Sequence, residues 1–204
     1  MQPFIRVTGP AAPFPQPNVD TDVIMPKQFL KGVDRKGLDR GVFYDLRFGP
    51  DGEPRADFIL NRPGWQGAHF LVVGPNFGCG SSREHAVWGL AQLGIRALIG
   101  TSFAGIFNDN CQRNGILTIT LDAAVIDDLM TRVGQPGANG LTIDLPEQTI
   151  TVDADSRTIP FAVEALRRDA LIRGLDGVSA TLARHAQAIR AFEDGHRQAN
   201  PWFY

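Results

Sequence analysis

Residues 69–121 read HFLVVGPNFGCGSSREHAVWGLAQLGIRALIGTSFAGIFNDNCQRNGILTITL. His69 to Gly74 is an unbroken apolar run bounded by turn residues, the pattern of a buried strand. Glu84 to Leu93 places Ala86, Val87, Leu90 and Leu93 at helical spacing, and Ile95 to Gly100 is a second strand. Ser102 to Asn114 fits a helix with Phe103, Ile106 and Phe107 on one face. The Asn114-Gly115 pair stops that helix before a third strand at Ile116 to Leu121. The period therefore switches between strand and helix as β-α-β-α-β, the signature of a right-handed parallel unit.

Downstream, Asp122 to Val133 predicts a helix capped by Asp122, and Gly134 to Gly140 breaks it. Leu141 to Leu145 and Gln148 to Val152 alternate as an antiparallel pair, with Arg157 to Val163 as a third member. Glu164 to Arg173 and Ser179 to Phe192 are amphipathic; the second helix is expected to start at Ser179 and stop at Gly195. Upstream, Phe4 to Thr8 is a short strand candidate. The following Gly9 to Pro17, with prolines at 10, 13, 15 and 17, is expected to be a surface connection without regular structure. Asn18 to Gly52 has no clean period and reads as a long loop with a short helix, a length often put to functional use.

Parallel and antiparallel signals together predict an α/β fold with a mixed sheet flanked by helices. A chain of 204 residues with 43% hydrophobic content is long enough for one cored domain. The formal net charge of -2 gives no basic excess for nucleic acid or an anionic membrane. No apolar run reaches the length of a membrane span and Met1 to Pro10 does not resemble a signal peptide, so a cytoplasmic location is expected. The two cysteines, Cys79 and Cys111, are expected to be free thiols.

Chemistry concentrates in Asn76 to His85, between a buried strand and a helix start. Gly78 and Gly80 let backbone approach a ligand, and N–H groups at a helix start attract carboxylate or phosphate. Arg83 adds a planar fork that pairs a carboxylate through two hydrogen bonds. Ser81 with Glu84 three residues later also matches a capping box, which accounts for both without any ligand. The segment lacks the spacing of a Walker loop and of G-x-G-x-x-G. Cys79 with His85 lacks the further ligands of a metal set, so no metal is expected here.

The run Asn76 to Ala86 resembles the swivelling domain of the aconitase superfamily. Three further stretches are similar to the separate small subunits of isopropylmalate dehydratase within it. These are Asn18-Val19-Asp20-Thr21-Asp22 with Pro26 to Lys31, Ser102 to Gly115, and Gly174-Leu175-Asp176. The resemblance implies one aconitase-type swivelling β/β/α domain over residues 1–204, with a substrate-facing loop at about 23–52 and a helical extension at about 164–204.

It also implies a hydro-lyase that interconverts 2- and 3-isopropylmalate in leucine biosynthesis. The cofactor would be a [4Fe-4S] cluster on a large-subunit partner, because two cysteines 32 positions apart cannot hold it. By the same resemblance Ser81 is the catalytic base, and Ser82 and Arg83 contact a substrate carboxylate. Thr21 and Asp22 lie at the site edge, where an Asx-type turn is the plain alternative. Phe29, Leu30 and Val33 would meet an isopropyl group, and Lys31 or Arg35 a carboxylate. Two other readings stay open: a related small subunit for homoaconitate, citraconate or a methylated malate, and a stand-alone anion-binding module.

Overall fold

The computed structural model describes residues 1–31 and 35–203. Its strands are β1 (Arg6–Phe14), β2 (Phe70–Val73), β3 (Ala97–Gly100), β4 (Leu117–Thr120), β5 (Gly140–Asp144), β6 (Thr149–Val152) and β7 (Arg157–Pro160). Its helices are α1 (Thr21–Ile24), α2 (Tyr44–Arg47), α3 (Glu84–Leu93), α4 (Gly105–Asn114), α5 (Ala123–Val133), α6 (Ala165–Arg173) and α7 (Gly177–Ala199). Together the strands form a seven-stranded mixed sheet in the order β4-β3-β2-β1-β5-β6-β7. The expected α/β class and the β-α-β-α-β unit are both present, with β1 to β4 parallel and β5 to β7 antiparallel.

The pleat sorts the apolar runs onto two faces. Leu71, Val73 and Leu98 point to one side, where Ala86, Val87 and Leu90 of α3 and Phe107 and Cys111 of α4 cover them. Phe70, Val72, Ala97, Ile99, Leu117 and Ile119 point to the other, against Ile126, Leu129 and Val133 of α5. Continuous runs in β2 and β3 follow from burial on both faces, as parallel strands require.

The expectation for Gly9 to Pro17 is corrected for Gly9 to Phe14, since β1 carries Pro10 and Pro13 through the middle of the sheet, while Pro15 to Pro17 are a connection without regular structure as expected. The strand changes partner along its length. Residues 6–10 pair antiparallel with β5, ending at Pro10 opposite Gly140, and residues 11–14 pair parallel with β2. The Pro10 carbonyl accepts the His69 N–H at 2.8 Å, just before the β2 ladder begins. Ala11 donates the other way, to the Asn139 carbonyl at 2.8 Å, and Pro13 shares its sidedness beyond the last β5 pair. Each missing N–H thus falls where the ladder has no acceptor.

Helix ends also differ from expectation. Asp122 precedes α5 without a side-chain cap. Helix α7 starts two residues before Ser179, because the Asp176 carboxylate accepts the Ser179 N–H at 2.7 Å, and it runs through Gly195 to Ala199. The loop 23–52 contains 3-10 turns at Lys27–Leu30 and Leu38–Gly41 besides α2. Tyr204 of the aromatic tail and Val33 of the loop lie outside the described residues.

Phe14, at the carboxyl end of β1, stacks on Phe43 with centroids 4.8 Å apart and meets Phe77 edge-on at 6.1 Å. This cluster joins the central strand to the loops above it. Phe14→Ala is expected to cost about 3–5 kcal/mol in urea unfolding; a loss below about 1 kcal/mol would mean the cluster does not support the core.

Candidate active site

Because β1, β2 and β3 are parallel neighbours, the loops that leave their carboxyl ends emerge side by side, where open α/β sheets bind ligands. Backbone bonds keep those loops in register. Asn18 donates to the Pro75 carbonyl at 2.9 Å, Gly78 to Val19 at 2.8 Å and Thr21 to Cys79 at 2.9 Å. On the other flank Phe77 donates to the Ser102 carbonyl at 3.3 Å and Ala104 to Phe77 at 3.1 Å. Segments 18–21, 75–81 and 102–104 therefore continue the parallel order past the sheet.

Side chains lock the same three loops. Asn18 and Asn76 both adopt positive φ, at 53° and 56°, a conformation their short amides tolerate. The Asn76 amide donates to Asn18 Oδ1 at 2.8 Å, and the Asn76 N–H donates to the Ser102 hydroxyl at 2.9 Å. Gly78 has φ +78°, and a Cβ there would stand 2.1 Å from the Phe107 ring. The glycine is required both by its backbone angle and by close packing on α4.

Ser81 and Ser82 are exposed at the end of this scaffold and Arg83 is half-buried. The buried Thr21 hydroxyl donates to the Ser81 carbonyl at 2.8 Å. The Asp22 carboxylate pairs with the Arg83 guanidinium. Thr21, Asp22, Ser81, Ser82 and Arg83 are thus brought together, with Thr21 shaping the loop from beneath. Asp20 provides the Asx-type cap of α1 by accepting the Val23 N–H at 2.8 Å. The capping-box expectation is corrected: α3 begins at Glu84 with Arg83 in the cap position and no side-chain cap. Glu84 instead accepts from Asn114 at 2.8 Å, and Asn114 accepts from the Trp88 indole at 3.0 Å. The start of α3 is therefore fixed by α4.

Phe29 and Leu30 pack against the core cluster under the loop, with the Phe29 ring 5.0 Å from Tyr44. Lys31 is exposed. The Arg35 guanidinium lies 4.0 Å over the Trp88 ring, and Gln92 bonds the loop backbone at Arg35 and Leu38. Sequence reasoning missed the Asn18–Asn76 pair, the Ser102 contact and the Asn114 link. The short amides before turns were the available signal for the first of these.

The thiols do not suit a cluster. Cys111 is fully buried and its ionisation is pushed well up by desolvation. The Cys79 thiol donates to the Asn18 carbonyl at 3.3 Å. Among the described residues no three His, Cys, Asp or Glu side chains gather as a metal set.

Residues 1–124 match the model of the aconitase C-terminal domain, and residues 179–203 match that of the C-terminal domain of the 3-isopropylmalate dehydratase small subunit. The chain is 59% identical to 3-isopropylmalate dehydratase small subunit 1 of Mannheimia succiniciproducens, over 99% of this chain and 98% of that one. It belongs to the family of 3-isopropylmalate dehydratase small subunits. Small subunit 2 of Salmonella typhimurium is 54% identical over 99% of this chain and 96% of its own length. The crystal structure of 3-isopropylmalate dehydratase from Methanocaldococcus jannaschii superposes with a TM-score of 0.68 at 27% identity. That match covers 91% of this chain and 99% of the archaeal one. Family membership makes the chain part of a heteromeric hydro-lyase, and it accords with the aconitase-type fold expected from the Asn76 to Ala86 run.

Gly78→Ala is expected to destabilise the chain by about 1–3 kcal/mol, since the Phe107 ring must move. Phe107→Ala, which removes the Cγ and Cδ atoms that the new methyl would strike, should cost less in the Gly78→Ala background than in the wild type, recovering part of the summed loss in thermal or urea unfolding. No recovery would show that the strain comes from the backbone angle alone.

Proposed function

We propose that this chain, in the cytoplasm, completes the active site of a 3-isopropylmalate dehydratase with a large subunit, interconverting 2- and 3-isopropylmalate in leucine biosynthesis. The observation that carries the reading is the exposed Ser81-Ser82-Arg83 run, held by Thr21 and Asp22 at the carboxyl edge of the parallel strands. Moving water from one carbon to its neighbour requires a base for a carbon-bound proton, a Lewis acid for the hydroxyl and cations for the carboxylates. A [4Fe-4S] cluster on the large subunit supplies the Lewis acidity.

Ser81 Oγ, as alkoxide, takes the carbon proton and returns it in the reverse addition. A serine hydroxyl is a poor base in water, so its anion must be stabilised by fixed donors. The Arg83 guanidinium and the uncapped N–H groups at the α3 start are such donors, preorganised as in an oxyanion hole. Arg83 also offers two parallel hydrogen bonds to a substrate carboxylate, joined by the Ser82 hydroxyl. Asp22 holds that guanidinium in place and offsets its charge before substrate arrives. Phe29, Leu30 and Lys31 face the variable end of the substrate, with the first two offering apolar surface for the isopropyl group and Lys31 a cation.

In the complex reconstituted anaerobically, Ser81→Ala is expected to lower kcat by at least about 100-fold, followed by absorbance of the unsaturated intermediate, while the two chains still associate. Activity within threefold of wild type would remove Ser81 as the base. Arg83→Lys should raise KM for isopropylmalate by about 10-fold or more, because one ammonium cannot replace the bidentate fork. Profiling homoaconitate, citraconate and methylmalate alongside isopropylmalate tests the substrate; a preference for any of them would reassign the specificity and leave the chemistry in place.

A further inference from the structure

Helix α7 contributes no side chain to the core of the fold it is attached to. None of its residues is buried, although it is 23 residues long. Val178, Leu182 and Phe192 are 72%, 49% and 71% exposed, and Trp202 and Phe203 in the turn that follows are 74% and 71% exposed. The two core clusters contain no residue of α7. Large apolar side chains gathered on one solvated helix mark an interaction surface.

Their spacing says what kind of surface. Val178, Leu182, His185, Ile189, Phe192, His196 and Ala199 follow one another at alternating steps of four and three. That is a 3.5-residue seam, which meshes with another helix and not with a sheet. Most positions flanking the seam are small, at Ser179, Thr181, Ala186, Ala188 and Gly195, with Glu193 the exception, so a partner helix could approach closely along its first half. A surface ion pair such as that of Arg184 with Asp169 of α6 is too weak to define a resting place on this domain.

The matches to known families indicate the occupant. The aconitase C-terminal domain model accounts for residues 1–124, whereas residues 179–203 match a model specific to the small subunits. The helix thus accompanies chains that work as separate small subunits. What such chains have in common is a large subunit. We infer that α7 and the aromatic turn Pro201–Phe203 dock onto an apolar helical surface of the large subunit, tethering the two chains at a point outside the substrate site. The inference rests on the proposed function, since it needs that partner.

The test titrates full-length wild type and the Leu182→Glu/Phe192→Glu variant into a fixed amount of the large subunit, reading activity, with sedimentation of each chain alone and of each mixture. Glutamate keeps helix propensity, and neither position contributes to the core, so the isolated variant should melt at the wild-type temperature. The variant is expected to need at least about 10-fold more chain for half-maximal activity, with turnover at saturation unchanged. A half-maximal concentration within twofold of wild type would overturn the inference. So would a wild-type chain that sediments alone as a dimer and a variant that is monomeric, with no shift in the titration, which would assign α7 to a second copy of this chain. A wild-type chain that neither binds nor activates the large subunit would overturn the functional reading and the docking surface together.

Discussion

The side-by-side pairing of three loops past the carboxyl ends of β1, β2 and β3 is the constraint on which the candidate site depends. Each loop alone is polar, glycine-rich or proline-rich and has little reason to hold one conformation. Joined by the bonds from Asn18 to Pro75, Gly78 to Val19, Thr21 to Cys79 and Phe77 to Ser102, they behave as an extension of the sheet. Phe77 and Phe107 fill the space beneath, which makes the platform continuous with the core. Ser81 is exposed yet rests on buried atoms, the arrangement that a reacting group needs if its position is to be fixed.

The charge arrangement follows from that platform. Arg83 leaves the loop as α3 begins, so its backbone is set by the helix and its guanidinium by Asp22 from the neighbouring loop. Two segments some sixty residues apart in sequence therefore share one ion pair at the site edge. An arginine held in this way reaches a carboxylate with little loss of side-chain freedom. The same logic places Thr21 under Ser81: the buried hydroxyl serves the loop, and the loop presents the serine.

Much of this was legible in the sequence. The bounds of α3, with Gly94 in the left-handed region at its end, follow directly from apolar spacing and the terminating glycine. The mixed sheet followed from continuous runs in one half and alternation in the other. The central strand β1 was not legible, because a proline's tolerance depends on where its missing N–H points, and that is set by partners sixty and one hundred and thirty residues away. The apparent capping box at Ser81 misleads for a related reason: Glu84 has a partner on another helix, Asn114, which no local pattern reveals. Helix α7 was legible as amphipathic, but its start was not, since Asp176 caps it ahead of Ser179. Phe29 and Leu30 are apolar candidates on sequence grounds, but sequence does not show how far the core already claims them.

The split pairing of β1 has a consequence for how the chain assembles. Its second half meets Phe70 to Val73, while its first half must wait for Gly140 to Asp144. During synthesis the first strand made is thus among the last to be completed, and its open edge is exposed until the antiparallel half of the sheet leaves the ribosome. Pro13 withholds an N–H group from that waiting edge, on the side where Ala11 later donates to Asn139, which makes it a poorer template for strands of other chains. A proline that helps to disguise β1 in the sequence thereby protects it during the interval before its partner exists.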